Sequence, residues 1–207
     1  MVEQVLVHGS IDEFCYFYID DDTRHGYLID PGAEPEKLLG LIRDRGWTIE
    51  AILLTHGHFD HFGAAADIRR TYGIHMFAHE KSGAYLTDPR INLSAYMSEP
   101  LTAEDVTFVK DGDVIEHPGA PSIHLKVIHT PGHTLDGVLF YDEKAGLAFS
   151  GDTIFKGNIG NYRFPGGNYE TLIHSIVNRI LTLPDDTVLY SGHSEPTTVG
   201  AERGWFL

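Results

Sequence analysis

The pattern that most constrains the fold occurs four times: an apolar, strand-like run ends in a tight turn that carries a histidine or an aspartate. The four segments are residues 51–58, 127–133, 147–152 and 188–193. Loops that follow buried strands commonly carry functional residues. If the four strand ends lie at one edge of the molecule, their polar side chains meet in a single cleft.

The first of these turns contains the densest group of polar residues, Thr55-His56-Gly57-His58-Phe59-Asp60-His61. His56 and His58 are two positions apart, so their rings point the same way in an extended loop. Asp60 and His61 stand at the start of the helix that follows and can face a neighbouring position. So many imidazole and carboxylate groups in one short segment indicate metal binding.

Two metal sites explain the spacing better than one. Imidazole and carboxylate groups bind divalent zinc, iron and manganese, and an aspartate between two ions can bind both with its two oxygens. We therefore expect two divalent metal ions, with zinc as the first expectation and iron or manganese as the alternatives. The first ion is assigned His56, His58, His133 and Asp152, and the second is assigned Asp60, His61, His193 and Asp152.

Two neighbouring cations suit hydrolysis. They lower the pKa of a shared water, polarise a carbonyl and stabilise the tetrahedral oxyanion, so a protein nucleophile is not required. Cys15 and the serines show no competing motif. A single histidine at a strand end is usually structural, but the recurrence across four turns outweighs that interpretation. The remaining histidines lack ligand spacing, and Asp30 is interpreted as a turn residue that can orient a ligand histidine.

The distribution of apolar runs predicts an α+β fold. Many short strands are separated by Gly, Pro and Asp, and helical spacing is visible at residues 35–45, 62–72 and 168–181. Many strands with few helices, in two rough halves, indicate two sheets with helices packed outside them. The length suits one domain, which we expect to span residues 1–207.

Composition narrows the classes of partner. Fifteen basic and 30 acidic residues give a formal charge of −15, which disfavours binding to nucleic acid and to anionic membranes. No apolar run approaches the roughly 18 residues of a membrane span, and no signal peptide is visible at the N-terminus. With Cys15 as the single cysteine, no intramolecular disulfide can form, and a cytoplasmic location is expected. The predicted chemistry leads us to expect a small-molecule thioester or ester as the substrate. The oligomeric state is not predicted.

These motifs resemble the metallo-β-lactamase superfamily, in which a His-x-His-x-Asp-His loop is followed by a separate His, Asp and His. The resemblance implies an αββα sandwich of two mixed β-sheets with a dinuclear site at one edge. It carries over to His56, His58, Asp60, His61, His133, Asp152 and His193 as ligands, with Asp60 also orienting the attacking water. Thr-Pro-Gly-His133-Thr, Ser-Gly-Asp152-Thr and Ser-Gly-His193-Ser are similar to the glyoxalase II group, most of all to its short prokaryotic members. The implied activity is hydrolysis of a hydroxyacyl thioester or ester by a hydroxide that bridges the metals.

The chain departs from that group at two places. Full-length glyoxalase II has a C-terminal helical domain for glutathione, which we expect this chain to lack. The loop at residues 160–165 has Asn161 where a basic residue is usual and Arg163 where Tyr or Asp is usual, so glutathione is an open question. Tyr162 and Arg163 are candidate substrate contacts.

Several other activities remain open on the sequence. A persulfide dioxygenase with one iron, a lactonase and a non-catalytic metal-binding protein are the alternatives. True β-lactamases lack a bridging aspartate at the position of Asp152, which argues against that activity.

Overall fold

The computed structural model describes residues 1–206, which form four layers. Two six-stranded sheets face each other, and helices cover the outer face of each sheet. The αββα arrangement expected from the sequence is therefore confirmed. None of the helices in residues 1–206 combines the length and the apolarity that a membrane crossing requires.

The first sheet takes its strands from the first half of the chain, in sequence order. Its strands are β1 (Val2–Val7), β2 (Glu13–Ile19), β3 (His25–Ile29), β4 (Thr48–Leu53), β5 (His75–His79) and β6 (Val106–Val109). The first three strands pair antiparallel, and β3 to β6 pair parallel. The sheet is thus mixed, as expected.

The second sheet comes from the second half of the chain and is also mixed. Its strands are β7 (Val114–Ile115), β8 (Leu125–His129), β9 (Val138–Asp142), β10 (Leu147–Gly151), β13 (Val188–Ser191) and β14 (Thr197–Thr198), with the order β14-β13-β10-β9-β8-β7. A small hairpin of β11 (Ile154–Phe155) and β12 (Asn158–Ile159) follows β10. Because β8 and β10 both pair antiparallel to β9, and β13 pairs parallel to β10, the strands β8, β10 and β13 point the same way.

Alternation along the strands divides the core into three parts. In β2, Cys15, Phe17 and Ile19 pack under the helices of the first layer, while Tyr16 and Tyr18 face the second sheet. This is the period-two pattern of a strand that is buried on both faces. A third cluster packs the outer face of the second sheet against the helix that follows residue 168.

The helices include the three that the sequence predicts, two of them with different bounds, and two short ones that it does not predict. They are α1 (Pro35–Arg45), α2 (Phe59–Phe62), α3 (Ala65–Tyr72), α4 (Gly83–Thr87), α5 (Tyr169–Ser175) and α6 (Val199–Arg203). The helix expected at residues 62–72 is split, because Ala64 N–H donates to the Pro31 carbonyl at 2.9 Å instead of continuing the helix. The close approach requires a glycine at position 63, where a Cβ would lie 2.3 Å from the Gly32 carbonyl oxygen. The helix expected at residues 168–181 continues after α5 as a π-helical turn, Ile176–Ile180.

The ends of the strands meet at one edge of the sandwich. Main-chain hydrogen bonds tie the two sheets together there, from Val138 N–H to the Thr55 carbonyl at 2.8 Å and from Phe14 N–H to the Gly192 carbonyl at 2.8 Å. The turns after β4, β8, β10 and β13 therefore face the same space.

Candidate metal centre

Three histidines point one ring nitrogen each at a common position. Nδ1 of His58 lies 3.1 Å from Nε2 of His56 and 2.9 Å from Nε2 of His133. All three side chains are buried. Lone pairs of three nitrogens that converge in this way form one face of a tetrahedral metal site.

A second group of ligand-type atoms lies beside the first. It contains Asp60, His61 and His193, whose atoms are within 4.8 Å of one another. Nε2 of His193 is 3.3 Å from Oδ2 of Asp60, and Nε2 of His61 is 3.9 Å from the same oxygen. The two histidines approach from different sheets, since His61 lies on α2 and His193 follows β13.

Asp152 lies between the two groups. Its Oδ2 is 3.6 Å from Nε2 of His133 in the first group and 3.4 Å from Nε2 of His193 in the second. Its Oδ1 is 3.4 Å from Nε2 of His61. The structure thus brings all seven sequence-predicted residues together, with Asp152 in the position that a bridging ligand requires.

In three of the histidines, a hydrogen bond at the outer ring nitrogen, the one that points away from the cluster, fixes the tautomer. Nδ1 of His133 donates to the Asn161 carbonyl at 2.8 Å, and Nδ1 of His193 donates to the Asp12 carbonyl at 2.8 Å. Nδ1 of His61 lies 2.9 Å from Oδ2 of Asp30. Because the outer nitrogen carries the hydrogen, the inner Nε2 keeps its lone pair for a metal ion.

Asp30 organises the loop that carries the first ligands. Its Oδ1 accepts from Thr55 N–H at 2.7 Å, and its Oδ2 accepts from the Thr55 hydroxyl at 2.5 Å as well as from His61. The same hydroxyl lies 3.2 Å from Nδ1 of His56. The orienting role suggested by the sequence for Asp30 agrees with these contacts.

The electrostatics of the cluster suit a cation. Burial lowers the pKa of His58 to about 3, and burial together with the neighbouring histidines lowers the pKa of His56 well below its usual value. Burial also acts to lower the pKa of His193, but the carboxylates of Asp152 and Asp60 outweigh it and raise that pKa to about 10. The histidines of the first group therefore favour the neutral form, and the carboxylates of Asp60 and Asp152 favour positive charge beside them.

Buried polar atoms without hydrogen-bond partners provide a further test of whether the cluster suits metal ions. Nε2 of His61 and Oδ1 of Asp152 are buried and make no hydrogen bond within the described residues. Unpaired buried polar atoms are costly, and both of these face the centre of the cluster. The residues present therefore fit a pair of divalent ions, and the donor set of imidazoles and carboxylates suits zinc, iron or manganese.

Two glycines allow the turns to close on the cluster. Gly151, at φ 49°, sits so near Thr55 that a Cβ would lie 2.2 Å from the hydroxyl oxygen. At Gly192 a Cβ would lie 2.5 Å from Cε1 of His61 and 2.6 Å from Oδ1 of Asp152. A side chain at either position would displace the residues of the site.

Two buried carboxyl groups near the site were not found from the sequence. Glu13 is fully buried, and its Oε1 lies 3.7 Å from Nδ1 of His61. Asp136 is also fully buried, and its Oδ2 accepts from the Ser82 hydroxyl at 2.7 Å beside Gly57, the residue between two of the histidines. Burial raises the pKa of both carboxyl groups. In the sequence each is an acidic residue near the start of an apolar run. This pattern is common at strand boundaries, so it did not distinguish either residue.

A cleft of about 250 Å³ opens onto the cluster. Besides His58, Asp60, His133, Asp152 and His193, its walls are formed by Ile11, Leu93, Phe155, Asn161 and Phe164. The two candidate substrate contacts are not among these residues. Tyr162 packs on Tyr169 at 5.0 Å between ring centroids, and the guanidinium of Arg163 lies over the Tyr162 ring. A substrate contact by either residue stays a prediction.

Comparison with known proteins gives a consistent result. A family model described as the metallo-beta-lactamase superfamily matches residues 12–193. Among curated relatives, Hydroxyacylglutathione hydrolase GloC of Haemophilus influenzae is 33% identical, with 88% of this chain and 86% of the relative covered.

Two solved structures are similar over nearly the whole chain. The BLEG-1 B3 metallo-beta-lactamase gives a TM-score of 0.91 at 35% identity, covering 99% of this chain and 97% of that one. TTHA1623, solved in a di-iron-bound form, gives a TM-score of 0.84 at 34% identity, covering 97% and 96%.

Proposed function

This chain is a metallo-hydrolase that belongs to the metallo-beta-lactamase superfamily, and from that premise we propose that it binds two divalent metal ions and hydrolyses a thioester or a related ester. One observation carries the proposal: two groups of ligand-type atoms lie side by side, with Asp152 in contact with both. When bound, two such ions supply a water of lowered pKa and a Lewis acid for the substrate carbonyl. Zinc and iron both suit the donor set, and the di-iron form of TTHA1623 supports iron as well as zinc.

In this proposal Asp60 has a role beyond binding. Its side chain lines the cleft, and its Oδ2 is held 3.3 Å from Nε2 of His193. A carboxylate in that place accepts a hydrogen bond from the attacking water and orients it toward the substrate carbonyl. The Asp12 carbonyl fixes the Nδ1–H of His193, which turns Nε2 of that ring toward Asp60 and would leave it free for a metal ion beside the carboxylate.

The walls of the cleft favour a thiol as the leaving group. Within residues 1–206, no lysine, tyrosine or cysteine lines the cleft to protonate a departing group. A thiol has a pKa of about 8.5 and can depart as the thiolate, whereas an alcohol or amine leaving group depends more on a general acid. Thioesters are therefore the substrates that we propose first, in line with the activity named for GloC.

A second candidate is hydrolysis of a β-lactam. The resemblance to the BLEG-1 B3 metallo-beta-lactamase, with a TM-score of 0.91 and 35% identity, favours it. Asp152 argues for the thioester, because the resemblance of its motif, Ser-Gly-Asp152-Thr, is to the glyoxalase II group, whereas true β-lactamases lack a bridging aspartate at this position.

Metal analysis and a substrate panel test the proposal. Protein purified without added metal, then loaded with zinc or with iron under anaerobic conditions, is assayed against S-lactoylglutathione, a neutral acyl thioester, an aryl ester and nitrocefin. We expect two equivalents of metal per chain and the highest kcat/KM on a thioester. Turnover of nitrocefin alone would favour the second candidate, and inactivity across the panel at full metal loading would reject the hydrolase.

A matched pair of variants links activity to the site. Asp152→Ala removes the residue that contacts both groups, and we expect it to lower both metal content and kcat/KM by more than about a hundredfold. Asp186→Ala, at an exposed position away from the cleft, should retain both. Equal activity of the two variants would contradict the assignment of Asp152.

A further inference from the structure

The cleft above the metal centre is walled mainly by apolar side chains. Ile11 and Phe164 are exposed at its rim, and Leu93 and Phe155 are partly buried. The ring of Phe164 lies 5.5 Å from the ring of His58, and Phe155 lies 6.1 Å from His193. Exposed apolar side chains gathered around a polar site indicate that an apolar group covers them when the ligand binds.

Leu93 is held in an unusual backbone conformation within this wall. Its φ of 72° lies in the left-handed region, which favours glycine or asparagine over leucine. The side-chain nitrogen of Asn92 donates to the carbonyls of Tyr85 at 2.8 Å and Leu101 at 2.9 Å, and its oxygen accepts from Ser94 N–H at 3.0 Å. These bonds hold the turn, and strained residues of this kind cluster at ligand sites.

The basic side chains nearest in sequence to the cleft walls contact other side chains at the surface. Within residues 1–206, no lysine or arginine lines the cleft, and its one uncharged polar wall residue is Asn161. Lys156, next to Phe155 in sequence, pairs with Glu195 at 3.1 Å, and Arg163 lies over the ring of Tyr162. The formal charge of the chain is −15 without metal and stays negative with two divalent ions bound, so the surface around the cleft does not attract anionic ligands.

From these contacts we infer that the site selects acyl thioesters of a small, uncharged thiol with an apolar acyl group, and rejects thioesters of anionic carriers such as glutathione and coenzyme A. This inference rests on the proposed function. The apolar wall desolvates the acyl chain, and Asn161 offers a neutral hydrogen-bonding group. Neither of the carboxylates of glutathione finds a cationic partner in the wall.

The size of the cleft agrees with a small ligand. A volume of about 250 Å³ is below the range of about 300–1,000 Å³ that is common for ligand pockets. A short acyl chain with the thioester group fills that space. The remainder of a tripeptide or a nucleotide carrier would have to lie outside it, on a surface without basic contacts in the cleft wall.

Binding of two non-hydrolysable thioethers tests the inference without turnover. The full chain with two equivalents of zinc is titrated by calorimetry with S-butyl-N-acetylcysteamine and with S-butylglutathione. We expect the neutral thioether to bind at least about tenfold more tightly. Equal or tighter binding of S-butylglutathione would overturn the inference.

Turnover of the matched thioesters separates this inference from the proposed function. S-butanoyl-N-acetylcysteamine should show a kcat/KM at least about tenfold above that of S-butanoylglutathione. A faster reaction of the glutathione thioester would overturn the inference and leave the hydrolase intact. No turnover of either compound, with the neutral thioether still bound more tightly, would support the inferred ligand class and reject thioester hydrolysis.

Two phenylalanines provide a matched control. Phe164→Ala removes a wall residue, whereas Phe108→Ala removes an exposed phenylalanine of β6 that does not line the cleft. We expect Phe164→Ala to weaken binding of S-butyl-N-acetylcysteamine about tenfold, with Phe108→Ala unchanged. Asn161→Arg should raise the affinity for S-butylglutathione relative to the neutral thioether. Equal effects of the two alanine variants would overturn the role of Phe164.

Discussion

At the residue scale, the groups behind the histidines decide how the site works. A histidine can bind a metal through one nitrogen only if the other nitrogen carries the hydrogen. Here a carboxylate holds His61, and main-chain carbonyls hold His133 and His193. Of these three hydrogen-bond partners, only the carboxylate of Asp30 belongs to a side chain, so it alone can be changed by mutation.

Asp30→Asn therefore gives a specific prediction. Asparagine tolerates the left-handed conformation of Asp30, at φ 48°, so the turn should persist. Its amide has a single acceptor oxygen, so it cannot replace both Oδ1, which accepts from Thr55 N–H, and Oδ2, which accepts from His61. We expect about a 10- to 100-fold loss of metal affinity, measured by competition with a chelator.

Asp22→Asn is the matched control, because Asp22 is exposed and lies outside the cluster. Its metal affinity should equal that of the unmodified chain. A loss in Asp30→Asn no greater than in this control would show that His61 does not depend on Asp30.

At the element scale, the site depends on turns in which two strands approach more closely than a side chain permits. Gly192 follows β13. A Cβ at this position would meet His61, on α2, and Asp152, which directly follows β10. In the sequence a glycine adjoins five of the seven candidate ligands, but the sequence does not show which glycine lies at the contact between the sheets. Register and sheet order, which arise from distant parts of the chain, made that choice.

Gly192→Ala should disrupt the metal centre. The added Cβ would lie 2.5 Å from His61 and 2.6 Å from Asp152, so one of these side chains must move. We expect at least about a tenfold loss of metal affinity, read as metal stoichiometry after dialysis against a weak chelator. Gly204→Ala, where a Cβ meets no atom within 4 Å and φ is −65°, should bind metal normally. Retention of metal by both variants would contradict this contact.

At the scale of the whole molecule, the candidate metal centre lies where the two sheets meet. The cluster joins turns from both sheets, and without an ion it leaves His61 Nε2 and Asp152 Oδ1 buried and unpartnered. An ion that binds the folded chain alone stabilises it by mass action, by about 4 kcal/mol at a free concentration a thousand times its Kd. Metal binding is thus expected to contribute to folding as well as to activity.

Removal of metal should lower the thermal stability. We expect a chelator to reduce Tm in the unmodified chain, because the stabilisation by bound ions is lost. The same treatment should change the Tm of Asp152→Ala much less. Scanning calorimetry measures both, and an identical Tm with and without chelator would show that the cluster does not hold metal in the folded chain.

A second link between the two halves of the molecule gives a prediction for acid stability. Asp20, just after β2, accepts from the hydroxyl of Ser122 at 2.6 Å and from its N–H at 3.0 Å. Hydrogen bonds from Ser122, and from the main chain nearby, hold the pKa of Asp20 below its usual value. A carboxyl group whose pKa is lowered by folding stabilises the protein above the unfolded pKa of about 3.9, and this contribution is lost as the pH falls below it.

Asp20→Asn should therefore weaken the pH dependence of stability. We expect its metal-free form to lose less free energy of unfolding than the metal-free unmodified chain between neutral pH and about pH 3, measured by urea denaturation. Asp186→Asn, at an exposed position, should follow the unmodified chain. A parallel loss in all three proteins would contradict the role of Asp20.

The sequence by itself determined the fold class and predicted the set of candidate ligands. Both follow from local patterns. The candidate ligands are histidines and aspartates in glycine-containing turns after apolar runs, and the fold class follows from many short strands with few helices. His56 and His58 share a loop, so their proximity followed from spacing alone. The boundaries of α1 followed in the same way from apolar spacing and from Gly46.

Only the tertiary structure decided how the distant residues combine. The place of Asp152 between the two groups, the contacts of Glu13 and Asp136, and the apolar wall from Ile11 to Phe164 each join segments far apart in the chain. The split between α2 and α3 came from the hydrogen bond of Ala64 N–H to the carbonyl of Pro31 in a remote turn. Such features depend on sheet order and close packing, which no local pattern of residues encodes.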